Sequence, residues 1–594
     1  MLFGKHFNKY YAKYWIFFSI GVITLVAIDI VHLVVPEALG EIVNLFNVDG
    51  DLDLKSINAL ALKVVIVGLI MMIGRIIWRS TLFYASNKIK LDMRLEMFSK
   101  AERLSQRYYH SEKVGNIVSW FTSDLDTIEE FVGWGTVMLI DAFFLTFMIL
   151  VKMFMLSVPL TLLVLFPIIL IALWGWLSEK YLAKVWETRQ QSNDKLYDFS
   201  TEAFSGIRVI KAFVKEKQQA KAFKKITEEC QKNSVKVAEV SGLFERLIDV
   251  LIYLVFGGFL LVGGFFAYWT VKGAPKSLFG MTINLNTGEL VTFIAYFDTL
   301  IWPVIALGSV IAMHSRSKAS LKRISAFLDQ EEEVAVTDGD EELTNVKGDI
   351  EFNHLTFAYP GTDLNVLKDI TLHINAGETI GVVGKIGCGK TTLMDCLLRL
   401  YNIPENSVKI DGMDIMKAKI SDVRASIAYV PQDNFLFSDT IQNNILLSRP
   451  DGDEALAKEA GIFSCVDGDI RDFKDQYQTL LGERGTTVSG GQKQRISMAR
   501  AYIKDAPILI MDDSVSAVDV KTETAILANI KEKRAGRTTI IIASRISTVS
   551  KLDKVIVLND GTVEAFGSPK DLLATSKTYA RMALLQELDR EEAD

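Results

Sequence analysis

Six long apolar runs in the first half of the sequence restrict this chain more than any other feature. Residues 14–39, 57–84, 131–156, 158–177, 248–270 and 288–313 are each long enough to cross a bilayer as a helix. No comparable run follows residue 318. The chain has 594 residues and is 49% hydrophobic, with the apolar share concentrated before that point. The expected organisation is a six-helix membrane domain over 1–318, a linker over 319–347 and a soluble domain over 348–594. The stretch DQEEEVAVTDGDEELTNVKG, 329–348, is acidic and turn-rich, as an exposed boundary should be. Lys5, Lys9 and Lys13 precede the first run, but that run exceeds the apolar core of a secretory leader, so a true span is expected.

Basic residues set the orientation. The connections 39–56, 157–158 and 271–287 carry few of them, whereas 86–130 and 178–247 are long and rich in Lys and Arg. The first three should lie outside, with both termini in the cytoplasm of a cell membrane. The long inner segments keep helical periodicity and should extend the spans well past the bilayer. The net charge of -7 argues against a nucleic-acid partner. Cys230, Cys388, Cys396 and Cys465 all map to the cytoplasmic side without metal-ligand spacing, so neither a disulfide nor a zinc site is expected.

The soluble part alternates strands and helices. DIEFNHLTFAY, TIGVVG, IAYVPQ, PILIMD, TTIIIAS and KVIVLND read as strands buried on both faces, the signature of an α/β domain. TIGVV runs into GKIGCGKT and then a helix, matching G-x-x-x-x-G-K-[ST]. In such a loop Gly384, Lys385, Ile386, Gly387, Cys388 and Gly389 curl backbone N–H groups around a phosphate. The helix beginning at Lys390, Thr391 and Thr392 adds its N-terminal dipole. Lys390 would reach the terminal phosphates and Thr391 would offer its hydroxyl to Mg²⁺. Cys388 lies inside the loop, where a thiol reagent should block nucleotide and ATP should protect.

VSGGQKQR, 488–495, followed by ISMARAYIKDAPILIMDD, resembles the signature motif and Walker B region of ABC transporters. At this offset between a P-loop and an Asp-terminated strand the match is specific. The resemblance covers the whole chain, since six spans followed by one nucleotide-binding domain is the layout of an exporter half-transporter. It implies ATP and Mg²⁺ as cofactors. It implies that Tyr359 stacks on adenine, the alternative for that residue being core packing. Gln432 falls at the Q-loop, which touches Mg²⁺. Asp512 would meet Mg²⁺ through water, and Asp519 fits the D-loop. LLGERG, 480–485, resembles the stretch before the signature in exporters. Ser489, Gly490, Gly491 and Gln492 would cover the ATP of a second subunit.

Two positions depart from the family. Its catalytic base, a Glu after the Walker B Asp, is here Asp513, one methylene shorter. Its switch His is here Ser544, in IIIASRIST. A serine cannot become cationic or donate to the γ-phosphate as imidazole does. A positioning error of about 1 Å costs on the order of a hundredfold in rate. Binding elements are kept and hydrolytic ones are not. The chain therefore resembles the degenerate-site subunit of bacterial heterodimeric multidrug exporters, whose partner would carry the Glu and the His. A lipid or peptide exporter would share these motifs, and an ATP-gated regulatory membrane protein is a further alternative. The retained SGGQ favours a transporter.

Two cytoplasmic stretches are candidates for short helices that press on nucleotide domains: SEKVGNIVSWFTSDLDTIEEF, around 111–131, and STEAFSGIRVIKAFVKE, 200–216. The second resembles the family's E-x-x-x-G-I-x-x-I-K-A-F stretch. Within the spans, Asp29, His32, Asp141 and Asp298 are costly charges and candidate substrate-pathway residues, with Phe143 among several aromatics able to stack on flat ligands. They would suit hydrophobic or cationic small molecules; helix–helix pairing is the competing explanation.

Overall fold

The structure is a computed structural model that describes residues 4–46, 54–278, 280–334, 339–482, 485, 487–516 and 518–591. The chain forms two compact units, Met1–Phe98 with Ile117–Asp329, and Ser99–Asn116 with Gln330–Asp594.

The first unit is built from long helices. Among the described residues, five are long and apolar enough to cross a membrane: Asn8–Phe46, Leu54–Arg103, Val114–Leu156, Glu216–Val271 and Thr287–Leu328. The fourth of the six expected spans is not among them. The run at 158–177 does fall on a helix, Val158–Ser205, but only its Val158–Pro167 portion counts as an apolar helix among the described residues. The helices outrun the apolar runs, as their polar periodicity predicts, and the last continues to Leu328, beyond residue 318.

Close backbone approach holds the first helix to the last. A Cβ on Gly288 would collide with the Gly40 carbonyl, and the Gly288 amide donates to Asn44 Oδ1 at 2.9 Å. Small residues at a helix crossing allow this approach. Asn286 and Glu289 form a reciprocal capping box that starts the last helix. Phe259, Phe293, Tyr296 and Phe297 fill the core below it, with the Phe259 and Phe293 rings stacked at 4.7 Å. Phe293, Tyr296 and Phe297 are thus packing residues.

Two short helices interrupt the long ones. Ile207–Ala212 lies inside the expected window 200–216, bounded by Gly206 and Phe213. The other is Gln106–Ser111, set off by extended backbone at Ser105 and Glu112. It precedes the expected window 111–131, most of which is the continuous start of the third long helix. The segment carrying Gln106–Ser111 belongs to the second unit. There Lys100 pairs with Glu332 and Arg107 with Glu333, each at 3.0 Å.

The second unit has a six-stranded sheet ordered 562–567, 554–559, 379–384, 538–542, 508–512 and 427–430. Its first strand is antiparallel to its neighbour and the other pairings are parallel. A separate antiparallel sheet contains Ile350–Ala358 and Asn365–Ile374. Ile508, Leu509, Ile510 and Met511 are buried, as the apolar runs predict for strands covered on both faces. Parallel pairing places the carboxyl ends of Thr379–Gly384, Thr538–Ile542 and Ile508–Asp512 side by side, which is where ligands bind in open α/β sheets. A helical subdomain packs Leu436, Ile441, Tyr477, Val488 and Ile496 around its own core.

Candidate functional site

The phosphate loop leaves the strand Thr379–Gly384 and enters the helix Lys390–Leu397. Gly387 and Gly389 adopt left-handed backbone, φ 79° and 99°, which an L side chain resists. Gly384 has no room for a Cβ, which would strike the Leu558 carbonyl and Cys388 Sγ. Ile386 at the tip is fully exposed. Lys390 Nζ donates to the carbonyls of Gly384 and Lys385 at 3.0 and 2.9 Å, spanning the mouth of the loop. Cys388 is only 4% exposed. The expectation that a thiol reagent reads out loop occupancy therefore needs correction, because the sulfur packs inward.

Thr391 Oγ1 donates to Asp512 Oδ2 at 2.8 Å, joining loop and Walker B strand. Asp512 is 1% exposed, and burial pushes its carboxyl above the ordinary value despite that hydrogen bond, with the Asp513 charge adding to the push. A buried carboxylate beside a hydroxyl and a second acid fits a hard divalent cation with oxygen ligands. Thr391 and Asp512 are the residues that would hold Mg²⁺, which when bound neutralises phosphate charge. Gln432 follows the strand Ile427–Val430 and is exposed, and its side chain makes no hydrogen bond among the described residues.

Tyr359 directly follows the strand Ile350–Ala358. Its hydroxyl pairs with Thr392 Oγ1 at 2.8 Å and its ring meets Tyr401 edge-on at 5.4 Å. The ring is half-buried, so one part packs on the core while the remainder is open.

Asp513 and Ser544, distant in sequence, meet at the ends of adjacent parallel strands. Asp513 N–H donates to the Ile542 carbonyl at 3.0 Å, and Ser544 Oγ reaches Asp513 Oδ1 at 3.5 Å. Asp513 has φ 45°, a left-handed backbone that Asp tolerates better than longer side chains. Around them lie residues that no sequence pattern announced. Arg545 pairs with buried Glu523 at 3.1 Å and donates to the Ser516 carbonyl at 3.1 Å. Gln586, on the helix Lys577–Glu591, accepts from Ile546 N–H at 2.7 Å and donates to the Ser544 carbonyl at 2.8 Å. Gln494 Nε2 contacts the Asp513 carbonyl at 3.4 Å.

Ser489 caps the helix Gly490–Ile503 in a reciprocal capping box with Gln492. Ser489 and Gly490 are exposed, Gly491 is half-buried, and a Cβ on Gly490 would meet open space. Val488 is buried in the helical-subdomain core and anchors the motif from below. Asp519 caps Val520–Lys533, accepting from Thr522 N–H at 3.0 Å; the Thr522 hydroxyl and amide hold its carboxyl below the usual range. Of LLGERG, Glu483 and Arg484 lie outside the described residues.

In the membrane-side unit, Asp29 and Asp141 are buried and His32 is half-buried, while Phe143 and Asp298 are exposed. Asp29 and Asp141 sit on elements that pack against each other, the helix Asn8–His32 and the turn Asp141–Leu145.

Residues 18–304 match the ABC transporter transmembrane region and residues 367–516 the ABC transporter family. The probable multidrug resistance ABC transporter ATP-binding/permease protein YheI of Bacillus subtilis (strain 168) is 31% identical, over 98% of this chain and 97% of that protein. The multidrug resistance-like ATP-binding protein MdlA of Escherichia coli (strain K12) is 30% identical, over 98% of this chain and 96% of that one. Among solved structures, a bacterial Atm1-family ABC exporter with ATP bound shares the fold, with a TM-score of 0.79 at 23% identity, covering 95% of this chain and 98% of that chain. With helices of membrane-crossing length preceding a nucleotide domain on one chain, the protein belongs to the ABC transporters, as an exporter whose relatives are multidrug-resistance-like.

Proposed function

We propose that this chain is one half of a heterodimeric ATP-driven multidrug exporter. Its own Walker site holds Mg²⁺-ATP and turns over weakly. Ser489, Gly490, Gly491 and Gln492 cover the ATP of a partner whose Walker B strand ends Asp-Glu and whose switch residue is His. The protein spans the cell membrane six times, with both termini and the nucleotide domain cytoplasmic. Residues 1–318 form the transport domain, 319–347 the linker and 348–594 the ATP domain. Tyr359 stacks on adenine, Gln432 joins Thr391 at the metal, and Asp519 serves the D-loop.

The observation that carries this reading is the pair Asp513 and Ser544, set together at 3.5 Å beside an intact Thr391–Asp512 contact. Asp513 accepts a proton from an attacking water only across a longer gap than Glu would leave. Ser544 supplies a neutral donor where imidazole would supply a stronger one. Two copies of this chain would hold two weak sites, so a partner with the missing groups completes the cycle. The names of the relatives, multidrug resistance among them, favour drug export over lipid or peptide export.

The test is ATPase activity in lipid, with the chain alone and with the product of a neighbouring gene that encodes the missing Glu and His. Activity should appear only in the pair and vanish when the partner's Walker B Glu is changed to Gln. Robust turnover by this chain alone would show Asp513 to be a competent base and overturn the asymmetric reading.

A further inference from the structure

Asp29 and Asp141 sit on different helices of the membrane-side unit, 6% and 9% exposed. Asp141–Leu145 is a π-helical turn, and both the first helix, Asn8–His32, and the last, Thr287–Leu328, pack against it. Such a turn inserts an extra residue, shifts side chains out of helical register and recurs at functional sites. Here Asp141 meets the indole of Trp302, whose Nε1–H donates to Asp141 Oδ2 at 3.1 Å. Asp29 belongs to the first of these helices, which packs against the turn that carries Asp141. Asp29 Oδ2 is buried and has no hydrogen-bond partner among the described residues.

The set is unbalanced. One neutral N–H meets Asp141 and no donor meets Asp29 Oδ2 among the described residues, while acid–base pairs of this unit form elsewhere, such as Glu37 with Lys152 and Asp124 with Arg323. An uncompensated acid at membrane depth is expensive, and such residues mark ligand or ion pathways when no partner is built in. The surroundings supply the rest of a recognition site. Trp302 is half exposed, and Phe143 and Phe147, in and just beyond the same π turn, expose their rings. An indole face attracts a cation that has shed its water.

We propose that Asp29, Asp141 and Trp302 form a subsite for the positive end of a lipophilic organic monocation. The assignment rests on the exporter reading and narrows its substrate class. The two carboxylates supply the charge that selects against anions and neutral compounds. Trp302 offers a stacking face and, through its N–H, fixes the Asp141 carboxylate. The exposed phenyl rings receive the apolar body of the ligand.

The test uses the full-length protein in lipid nanodiscs and measures binding of tetraphenylphosphonium beside the neutral probe N-phenyl-1-naphthylamine. Asp29→Asn and Asp141→Asn should each weaken the phosphonium by about tenfold or more, while the neutral probe changes by less than about twofold. Asp29→Glu, which keeps the charge, should retain most of the affinity, and Trp302→Phe should fall between. Unchanged phosphonium binding in both Asn variants would overturn the subsite. Equal losses for both probes would overturn it too, by reducing the acids to a packing role. ATP-driven movement of the neutral probe by the wild-type pair reads the exporter function separately. Failure there with cation-selective binding intact would strike the exporter reading and leave the subsite standing.

Discussion

At the signature edge of the ATP domain, Ser489 is at once the exposed end of the motif and the cap of its own helix. At the switch edge, Asp513 and Ser544 touch at the limit of a hydrogen bond and support no secondary structure with that contact. The difference gives a physical reason why, on the proposed reading, one edge is kept while the other departs from the family pattern. Changing Ser489 or the phosphate-loop glycines disturbs helix caps and left-handed turns, so the fold resists drift there. Shortening a Glu to Asp or replacing a His with Ser leaves the strands, their pairing and their burial untouched. Asp even suits the φ of 45° at position 513. On the proposed reading, nucleotide holding is built into backbone geometry, whereas hydrolysis hangs on the reach of two side chains.

The strongest way to break this contrast is at the loop. Lys390→Ala removes the cation at the mouth and should cut ATP affinity of this chain's own site by about a hundredfold or more, since hydrogen bonds to charged groups contribute about 1.5–3 kcal/mol each. Nucleotide photolabelling of this subunit reads the loss, and unchanged labelling would separate Lys390 from binding.

Restoring the other edge should sharpen the contrast. Asp513→Glu with Ser544→His should raise turnover at this chain's site by roughly ten- to a hundredfold, the scale of about 1 Å in positioning. The comparison is made in a pair whose partner site carries Glu→Gln. No gain would mean that the switch edge is disabled by more than these two side chains.

A smaller effect is expected from Gln586→Met in that restored background. Losing both bonds to the loop that carries Ser544 should lower kcat by about fivefold, the equivalent of about half the roughly 2 kcal/mol that the two bonds contribute together, and leave KM for ATP unchanged. A fall in thermal stability with kcat intact would reduce Gln586 to a structural tie.

The smallest effect is on stability. Burial, and then the charge of Asp512, pushes the Asp395 carboxyl up from 3.8 to about 6. The folded domain therefore holds that proton more tightly than the unfolded chain. Stability from this group is full below pH 3.8 and is lost as pH rises through about 6. Asp395→Asn should raise the melting temperature of the protein above pH 6, with the gain shrinking toward pH 4. A gain independent of pH would point to packing instead.

Most of the ATP domain was legible because its functional groups sit in unbroken stretches. A strand, a glycine loop and a helix follow one another from Thr379 to Leu397, and the apolar runs ending in Asp512 and Ile542 can only be buried strands. The meeting of Asp513 with Ser544 depends on parallel register, which local pattern does not encode. Gln586 and the Glu523–Arg545 pair were invisible for the same reason, since they contact backbone groups far along the chain. Membrane aromatics were the least readable. Phe293 and Phe143 look alike in sequence, yet one is in the core and the other is exposed, because helix rotation is set by neighbours rather than by hydropathy. The short helix at Gln106–Ser111 was displaced from its expected window because two extended residues, not composition, delimit it.

Gln586 has a mechanical consequence. Its amide fastens the last described helix to the loop that carries Ser544, so a load on that helix is transmitted directly to that loop. An affinity tag or fluorescent fusion placed after this helix would act as a weight on a lever, and turnover measured with it would report the cargo as well as the enzyme.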